Sequence, residues 1–437
     1  MNQKIAQKIN FTSFFHGFIS YESVKNKFIS AYITVPAFIL ILSSEVAAQK
    51  TPKKPFSTYS RKGTGLGVVA ADSLFSINFQ FRMQNRVIYT STSDTDLTPD
   101  KFEFRTRRMR MKFKGFVYNP KITYYFQLAL SRADMDWVNN DNSNVNSSPN
   151  VIRDAVMYYT PNARWRFSFG QTKLPGNRQR VTSSGDQQFY DRSIVNAYFN
   201  IDRDFGFFGQ YTLPHIVFKG ALTSGEGRNA TISDKGLAYT GRVELLPLGK
   251  FSSDVEVEGD LDREPEPKVS IASSYSYNDR AMRQQGQLGN DLYAARTLRT
   301  WAVDMVAKYN GWSWYSELMK RSTDDPHTIN HDNPELIRTV YTGHGWMSQL
   351  SYLFKNNFEV ATRYARVTPS SELYNNPLHP TVNEKQTENY EAGVTQYIMA
   401  HRFKVQAGVI YTRLTDLSTN SFYRSYWTTA LQVELGF

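Results

Sequence analysis

The chain has 437 residues, with 51 Lys and Arg against 40 Asp and Glu, a formal charge of +11 and 14% aromatic residues. It contains no cysteine, which excludes disulfides and thiolate metal sites. A positive balance of this size suits nucleic-acid binding or a diffusely basic surface equally well, so the placement of the charges along the chain has to decide.

At the N-terminus, Lys25 and Lys27 precede the apolar run AYITVPAFILIL (residues 31–42), and SSEVAAQ follows with Val46 and Ala48 at small-residue positions. This pattern predicts a secretory signal peptide over 1–48, cut before Gln49. The thirty residues ahead of the apolar run are long for such a leader, so either the start lies downstream or the leader is extended. Its removal takes four Lys and two Glu and leaves 47 basic against 38 acidic residues, a formal +9. No other stretch approaches the length of a membrane helix, so the mature chain is expected to be exported without one. Residues 49–73, rich in Lys, Pro, Gly and Ser, read as a flexible periplasmic lead-in.

From Leu74 the pattern changes to segments of about ten residues or more that alternate apolar and polar, the period of a β-strand. FRTRRMRMKFKG (104–115) carries six basic residues: Arg105, Arg107, Arg108, Arg110, Lys112 and Lys114. Met109, Met111 and Phe113 alternate with the later charges, giving one apolar and one strongly positive face. Phe102 and Phe104 keep phase with the apolar face only if the register slips at Arg107–Arg108, so a β-bulge is expected there. In TYYFQLALS, Tyr124, Phe126, Leu128 and Leu130 oppose Tyr125, Gln127, Ala129 and Ser131. In RWRFSFGQ, Trp165, Phe167 and Phe169 oppose Arg166 and Ser168.

Short connections are expected at 118–121, 160–164, 212–215, 246–251, 309–311, 354–357 and 399–402, where turn residues or polar caps cluster. The turn at 246–251 runs into the acidic stretch DVEVEGDLDREPEPK (254–268), which lengthens that connection if it is not strand. Long polar connections lie between the short ones, near 90–101, 134–151, 174–203, 224–236, 279–298, 322–337, 367–385 and 415–421. These connections separate sixteen strands. An even count with loop length alternating by side predicts an all-β fold, a transmembrane antiparallel barrel over 74–437. Closure removes the unpaired backbone groups that an open sheet would expose to lipid. A soluble sandwich or propeller shares the alternation but explains neither the leader nor the alternating loop lengths. The chain ends ALQVELGF, with Phe437 on the apolar face beside Leu431, Val433 and Leu435. That ending is expected to serve as the signal read by the outer-membrane assembly machinery.

GQTKLPGNRQRVTSSGDQQFYDRSIVNAYFNIDRDFG (170–206) resembles the phosphate-selective porin O and P family of outer-membrane porins. The recurring elements stand in order: G-Q-x-K-x-P at 170–175, TSS at 182–184, an aromatic-x-D-R-S element at 189–193 and R-D-x-G at 203–206. The Arg-rich second strand, SYSYND (274–279) and LPLGKF (246–251) add to the likeness. After the K-x-P the chain continues Gly176, Asn177, Arg178, a departure that bears on the shape of the constriction. The resemblance implies a trimeric, sixteen-stranded barrel passing small anions, phosphate or polyphosphate among them, by diffusion, with the loop 174–203 folded inward to narrow the channel.

A pore selects anions when its narrow section carries fixed positive charge. The candidates on lumen faces are Arg105, Arg108, Arg110, Lys112, Lys114 and Arg166. On the inward loop they are Lys173, Arg178, Arg180, Arg192 and Arg203. The competing reading places such residues at the rim against lipopolysaccharide phosphates, or paired with Asp and Glu. A cation facing lipid at mid-depth costs about 2–4 kcal/mol, so the Arg108, Arg110, Lys112 column is expected to face inward. Asp186, Asp191, Asp202 and Asp204 are expected to pin the loop to wall arginines. HTINHD (327–332) has two His at i, i+4 and NNDNSN (139–144) is rich in oxygen donors, yet both read as solvated loops. His344 near Ser348 is the one pairing with a hydrolase's residue types. No Gly-rich phosphate loop occurs, and the basic residues do not interleave with exposed aromatics along one groove, so nucleic-acid binding loses its support. No cofactor and no catalysis are expected. The alternatives are an outer-membrane barrel acting as an adhesin or anchor, or one with a rim hydrolase site.

Overall fold

The computed structural model describes residues 57–61, 65–70, 74–131, 134, 151–230 and 236–437. The leader expected over 1–48 and the NNDNSN stretch lie outside the described residues. Sixteen long strands form the wall. They are β1 (Ser76–Ser91), β2 (Pro99–Val117), β3 (Asn119–Ala129), β4 (Ile152–Tyr159), β5 (Trp165–Lys173), β6 (Arg203–Thr212), β7 (Ile216–Thr223) and β8 (Ala238–Leu245). They continue with β9 (Lys268–Arg283), β10 (Asp291–Tyr309), β11 (Trp312–Ser322), β12 (Gly343–Leu353), β13 (Phe358–Pro369), β14 (Gln386–Met399), β15 (Phe403–Asp416) and β16 (Ser421–Gly436). Each pairs antiparallel with the next. The ring closes where β16 pairs β1, from Thr428 opposite Thr90 to Gly436 opposite Arg82. Among the described residues no helix is long and apolar enough to cross a membrane, which is no constraint on strands.

Two short strands, Ser57–Arg61 and Gly65–Val69, pair with each other inside the stretch that composition marks as a lead-in. Gly65–Val69 also pairs with β1, Leu66 opposite Phe79 through Val69 opposite Ser76, on the edge that β16 leaves beyond Gly436. Part of the lead-in is therefore sheet, because β1 begins before β16 ends and its first backbone groups need a partner.

The wall is polar inside and apolar outside. Along β8 burial alternates without exception, with Thr240, Arg242 and Glu244 inward and Tyr239, Gly241 and Val243 outward. On β11, Glu317 is 1% exposed while its neighbour Leu318 is 49% exposed. Trp165, Phe167 and Phe169 lie on the outer face of β5, as their period predicts. The bulge falls at Arg107: Gln84 pairs with Arg108 and Asn85 with Thr106, leaving Arg107 unopposed. Two consecutive arginines thereby lean toward the lumen, while Phe102 and Phe104 before the bulge and Met109 after it keep to the outer face.

Six of the seven connections expected to be short are short, and one is not. Between β8 and β9, residues 246–267 are not the short turn expected at 246–251. They fold back into the lumen, as described below. The long connections near 90–101 and 279–298 are shorter than expected, since β1, β2, β9 and β10 run on to Ser91, Pro99, Arg283 and Asp291.

The lumen has its own small apolar core. In the segment joining β5 to β6, Ser193 caps α2 (Ile194–Phe199) by accepting from the Asn196 amide at 3.3 Å. Val195 and Phe199 then pack on Ala302, Val306, Tyr315, Met319 and Met347 of the inner wall. Just before the helix, Phe189 and Tyr190 lie over Gly393 and Gly408. A Cβ at either glycine would stand 3.0 or 3.1 Å from a ring carbon, so any side chain there would push the ring back by a few tenths of an ångström.

Phe437 donates its amide to the Phe81 carbonyl at 3.1 Å and sets its ring 5.8 Å from Phe79 and 6.0 Å from Phe81, fastening the outer face of the closing seam. Deleting Phe437 is expected to lower the yield of heat-modifiable barrel in outer-membrane fractions. Unchanged yield on semi-native gels would show that the seam closes without it.

Candidate functional site

Residues 174–202 leave the wall at the end of β5, cross the lumen and return at β6. The crossing is held by wall side chains from both halves of the ring. Near its start, α1 (Arg178–Val181) carries Arg178 into a buried set of carboxylates: Nε to Asp304 at 2.5 Å and Nη2 to Glu244 at 2.6 Å, with Ser270 at 2.8 Å. Arg242 approaches the same Asp304 at 2.6 Å. In the middle, the Ser184 hydroxyl accepts from Arg82 at 2.8 Å and Arg110 at 3.1 Å, and its carbonyl from Gln84 at 3.0 Å. Lys404 donates to the carbonyls of Gly185 and Gln187, at 2.9 and 2.6 Å. Beyond α2, Arg321 donates to the carbonyls of Tyr198 and Asn200. A crossing with little regular structure has many unpaired carbonyls, and a wall of arginines and lysines supplies the donors.

Asp191 is the electrostatic centre of this contact. Arg86 approaches its carboxylate at 2.7 Å, Arg108 at 3.1 Å and Arg107 at 3.5 Å. The bulge is what allows two of the three, since consecutive strand residues otherwise point to opposite faces. Burial alone would raise the Asp191 carboxyl, but the Arg107, Arg108 and Arg86 guanidiniums hold it well below the usual carboxylate range. Three cations against one carboxylate leave the position net positive.

The structure sorts the sequence-derived basic residues into three groups. The first meets carboxylates. Arg108 joins Asp191 and also donates to Gln84. Arg110 binds Asp134 in bidentate fashion at 2.5 and 2.7 Å, with Arg153 sharing that carboxylate at 2.9 Å. Arg105 pairs with Glu103 at 2.9 Å near the long-loop end of β2, beside Lys101 on the same carboxylate. Arg180 pairs with Asp202. Arg203 bridges Asp154 at 3.0 Å and Asp202 at 3.4 Å. Arg178 belongs here too, turned into the wall and 3% exposed.

The second group braces the crossing by its backbone. Arg192 donates to the Gln179 and Thr182 carbonyls at 2.7 and 2.8 Å, and Lys173 donates to the Val181 carbonyl. The third faces lumen space. Among the described residues no carboxylate lies within ion-pair distance of Lys112, Lys114 or Arg166. The Arg166 guanidinium lies over the Tyr158 ring at 3.9 Å. Asp191 and Asp202 engage arginines as expected. Asp204 instead caps the 224–237 connection, accepting from Ser224 and the Gly225 amide, each at 2.7 Å.

Lys114 and Arg166 line a cavity of about 830 Å³ on the short-turn side of the crossing, bounded by β1–β8. Lys173, Lys219 and Arg242 add positive charge to its wall, and Asp154, Asp254 and Glu256 negative charge. Asp254 and Glu256 come from the segment 246–267. Glu256 pairs with Lys219 at 3.1 Å. Burial would raise its carboxyl, yet Lys219 and Lys173 hold it below the ordinary value. Reading 246–251 as a turn misses this intrusion. The available signal is that every second residue from Asp254 to Glu266 is acidic, a charged edge that has a place beside a cationic lumen.

The remaining motifs do not assemble. His344 is exposed on the outer face of β12, and Ser348 accepts from Trp314 there at 3.0 Å. His327 is buried against the Glu372 carbonyl while His331 is fully exposed beside Asp332. No metal-holding group of three or more His, Cys, Asp or Glu side chains occurs among the described residues.

Replacing Asp191 by Asn removes the carboxylate that Arg86, Arg107 and Arg108 share, a loss of about 1–3 kcal/mol in attachment of the crossing. Current flicker and faster proteolysis within 174–202 are the expected readouts, and a quiet channel would overturn the clamp. For the native chain the depressed carboxyl keeps its contribution at all pH above the ordinary carboxylate value, and loses it only as pH falls through the lower folded value. Acidification to about pH 4 should therefore leave flicker and proteolysis within 174–202 at their native level.

The fold agrees with that of known proteins. Among solved structures, the outer-membrane channel DcaP of Acinetobacter baumannii superposes with TM-score 0.53 at 11% identity, over 83% of this chain and 97% of that one. OprB of Pseudomonas putida does so with TM-score 0.51 at 10% identity, over 83% and 94%. OmpT of Vibrio cholerae, an outer-membrane protein solved in a trimer form, gives 0.50 at 10% identity, over 83% and 99%. These likenesses show the fold. No curated protein matches the sequence. The family model for phosphate-selective porin O and P matches residues 77–434. With that match spanning nearly the whole barrel, the chain belongs to the phosphate-selective porin O and P family and is an outer-membrane porin.

Proposed function

We propose that this porin passes small anions, phosphate and polyphosphate among them, by diffusion past the inward crossing and through the cavity on its periplasmic side. The observation that carries this reading is the run of basic side chains along β2. It begins beside Glu103 with Arg105, passes the Asp191 clamp, and continues to Lys112 and Lys114, which meet no carboxylate among the described residues. Arg166, Lys173 and Lys219 extend the positive lining around the cavity. Fixed cations in a narrow, partly desolvated passage raise the local concentration of anions and repel cations. No step of this passage needs a cofactor or a covalent intermediate.

A trimer suits the uneven height of the wall. Strands β4, β7 and β8 have 8 residues each, whereas β10 has 19. Eight tilted residues rise roughly 20 Å, less than the ~25 Å apolar band of an outer-membrane barrel. Copies of the chain packed against this low side would cover Phe167, Phe169, Phe205 and Phe207, all on its outer face. The OmpT trimer offers a precedent for such packing on the same fold. Lys101 and Arg424 at the long-loop rim suit lipopolysaccharide phosphates, and Phe437 suits the assembly machinery.

Reversal potentials in a salt gradient across a planar bilayer test the charge reading. Anion preference is expected, and cation preference would overturn it. Lys112→Glu and Lys114→Glu should each reduce the anion-to-cation permeability ratio by at least about threefold. Arg110→Glu suits this test poorly, because it would set a carboxylate against buried Asp134. Phosphate blocking chloride current at low concentration would identify a binding site in the passage. Cross-linking of the purified protein is expected to trap a three-chain species, and a monomer alone would overturn the trimer.

A further inference from the structure

One connection on the periplasmic side breaks the pattern of the others. Residues 246–267 enter the lumen, whereas the neighbouring turns at 160–164, 213–215 and 310–311 span only a few residues. From Asp254 to Glu266, acidic residues stand at every second position. Several of these carboxylates hold the segment in place. Asp260 accepts from the Gly311 amide at 2.7 Å, and Glu264 from the Ser252 amide at 2.6 Å. Basic wall residues grip its backbone as well: Lys308 donates to the Val257 carbonyl at 2.7 Å.

At its deepest point the segment joins the inward crossing. The Glu258 amide donates to the Asp186 carbonyl at 2.8 Å, and the Gln188 amide donates to the Glu258 carboxylate at 3.0 Å. Gln349 of the wall reaches that carboxylate at 3.3 Å. The extracellular crossing and the periplasmic segment therefore meet inside the lumen, and the cavity lies on the β1–β8 side. Asp254 and Glu256 stand outside this junction, Asp254 accepting from the Glu256 amide at 3.0 Å. They line the cavity, with Glu256 paired to Lys219. Carboxylates at these two positions stand where a permeating anion would meet Lys219 and Lys173.

We propose that residues 252–264 act as a built-in counter-anion at the periplasmic exit, with Asp254 and Glu256 limiting how strongly that exit favours anions. The inference rests on the anion-channel reading above and adds a specificity-determining element to it. A transient anion entering the cavity competes with Glu256 for Lys219, so the exit holds anions weakly and releases them. Without the two carboxylates the lining cations would retain anions longer.

The test uses the purified full-length barrel in planar bilayers. Asp254→Asn with Glu256→Gln keeps side-chain shape and removes both charges. The anion-to-cation permeability ratio should rise by at least about threefold, the factor by which one unit charge roughly 6 Å away acts on a single permeating ion in water. Chloride current should also saturate at lower concentration. An unchanged ratio and unchanged saturation would overturn the inference. Since the chain has no cysteine, Glu256→Cys adds a single thiol as a second measure. A sulfonate-bearing thiol reagent should restore native selectivity and an ammonium-bearing one should push it further toward anions. Equal effects of the two reagents would again overturn the inference. The native reversal potential is read separately: a cation-preferring native barrel would refute the anion reading, while the shift between native and variant would still judge the role of the segment.

Discussion

In hydrocarbon, every backbone N–H and C=O must find a partner within the protein, and the pairing of β16 with β1 meets that requirement for the whole wall. Most other features follow from it. A closed ladder forces side chains to alternate between lipid and lumen, so Leu318 is exposed to lipid and Glu317 is buried next to it. The same closure creates an interior that must be filled, by water or by protein. The short hairpin ahead of β1 obeys the same rule locally, pairing the stretch of β1 that β16 does not reach.

What fills the lumen here is charge matched to charge, with a small apolar core around α2. Isolated buried charges are costly, and a carboxylate or guanidinium survives inside only with partners that satisfy it. Asp191 among Arg86, Arg107 and Arg108, and Asp304 between Arg178 and Arg242, are such assemblies. They use up many of the basic residues that make the chain look overcharged. The cations left facing open lumen are fewer and lie toward the periplasmic end of β2 and around the cavity. The positive character of the passage is thus a residue after internal pairing, and it depends on which carboxylates the chain sends into the lumen.

Much of this was legible in the residues. The two-residue period, the alternation of loop lengths and the crowded FRTRRMRMKFKG stretch gave the strands, their faces and the bulge at Arg107. The D-R-S element placed Asp191 on the inward loop. The partners were not legible. Arg178 reads as a lumen cation but binds Asp304 and Glu244, which lie far away in sequence on other strands. Arg110 reads as pore lining but is shared with Asp134. The intrusion of 246–267 was hidden because turn residues at 246–251 satisfy the expectations for a hairpin, and nothing local says that the acidic residues after them turn inward.

Alternation along the strands, joined to the alternation of loop lengths, therefore determined the barrel, since each strand's inner and outer faces follow from a period that only neighbouring residues set. The distribution of free and neutralised charge inside the barrel was decided by the tertiary structure alone. Coulombic pairing acts between residues that closure brings within a few ångströms, whatever their separation along the chain, and two segments entering from opposite ends meet at Asp186 and Glu258 only once the ring around them exists.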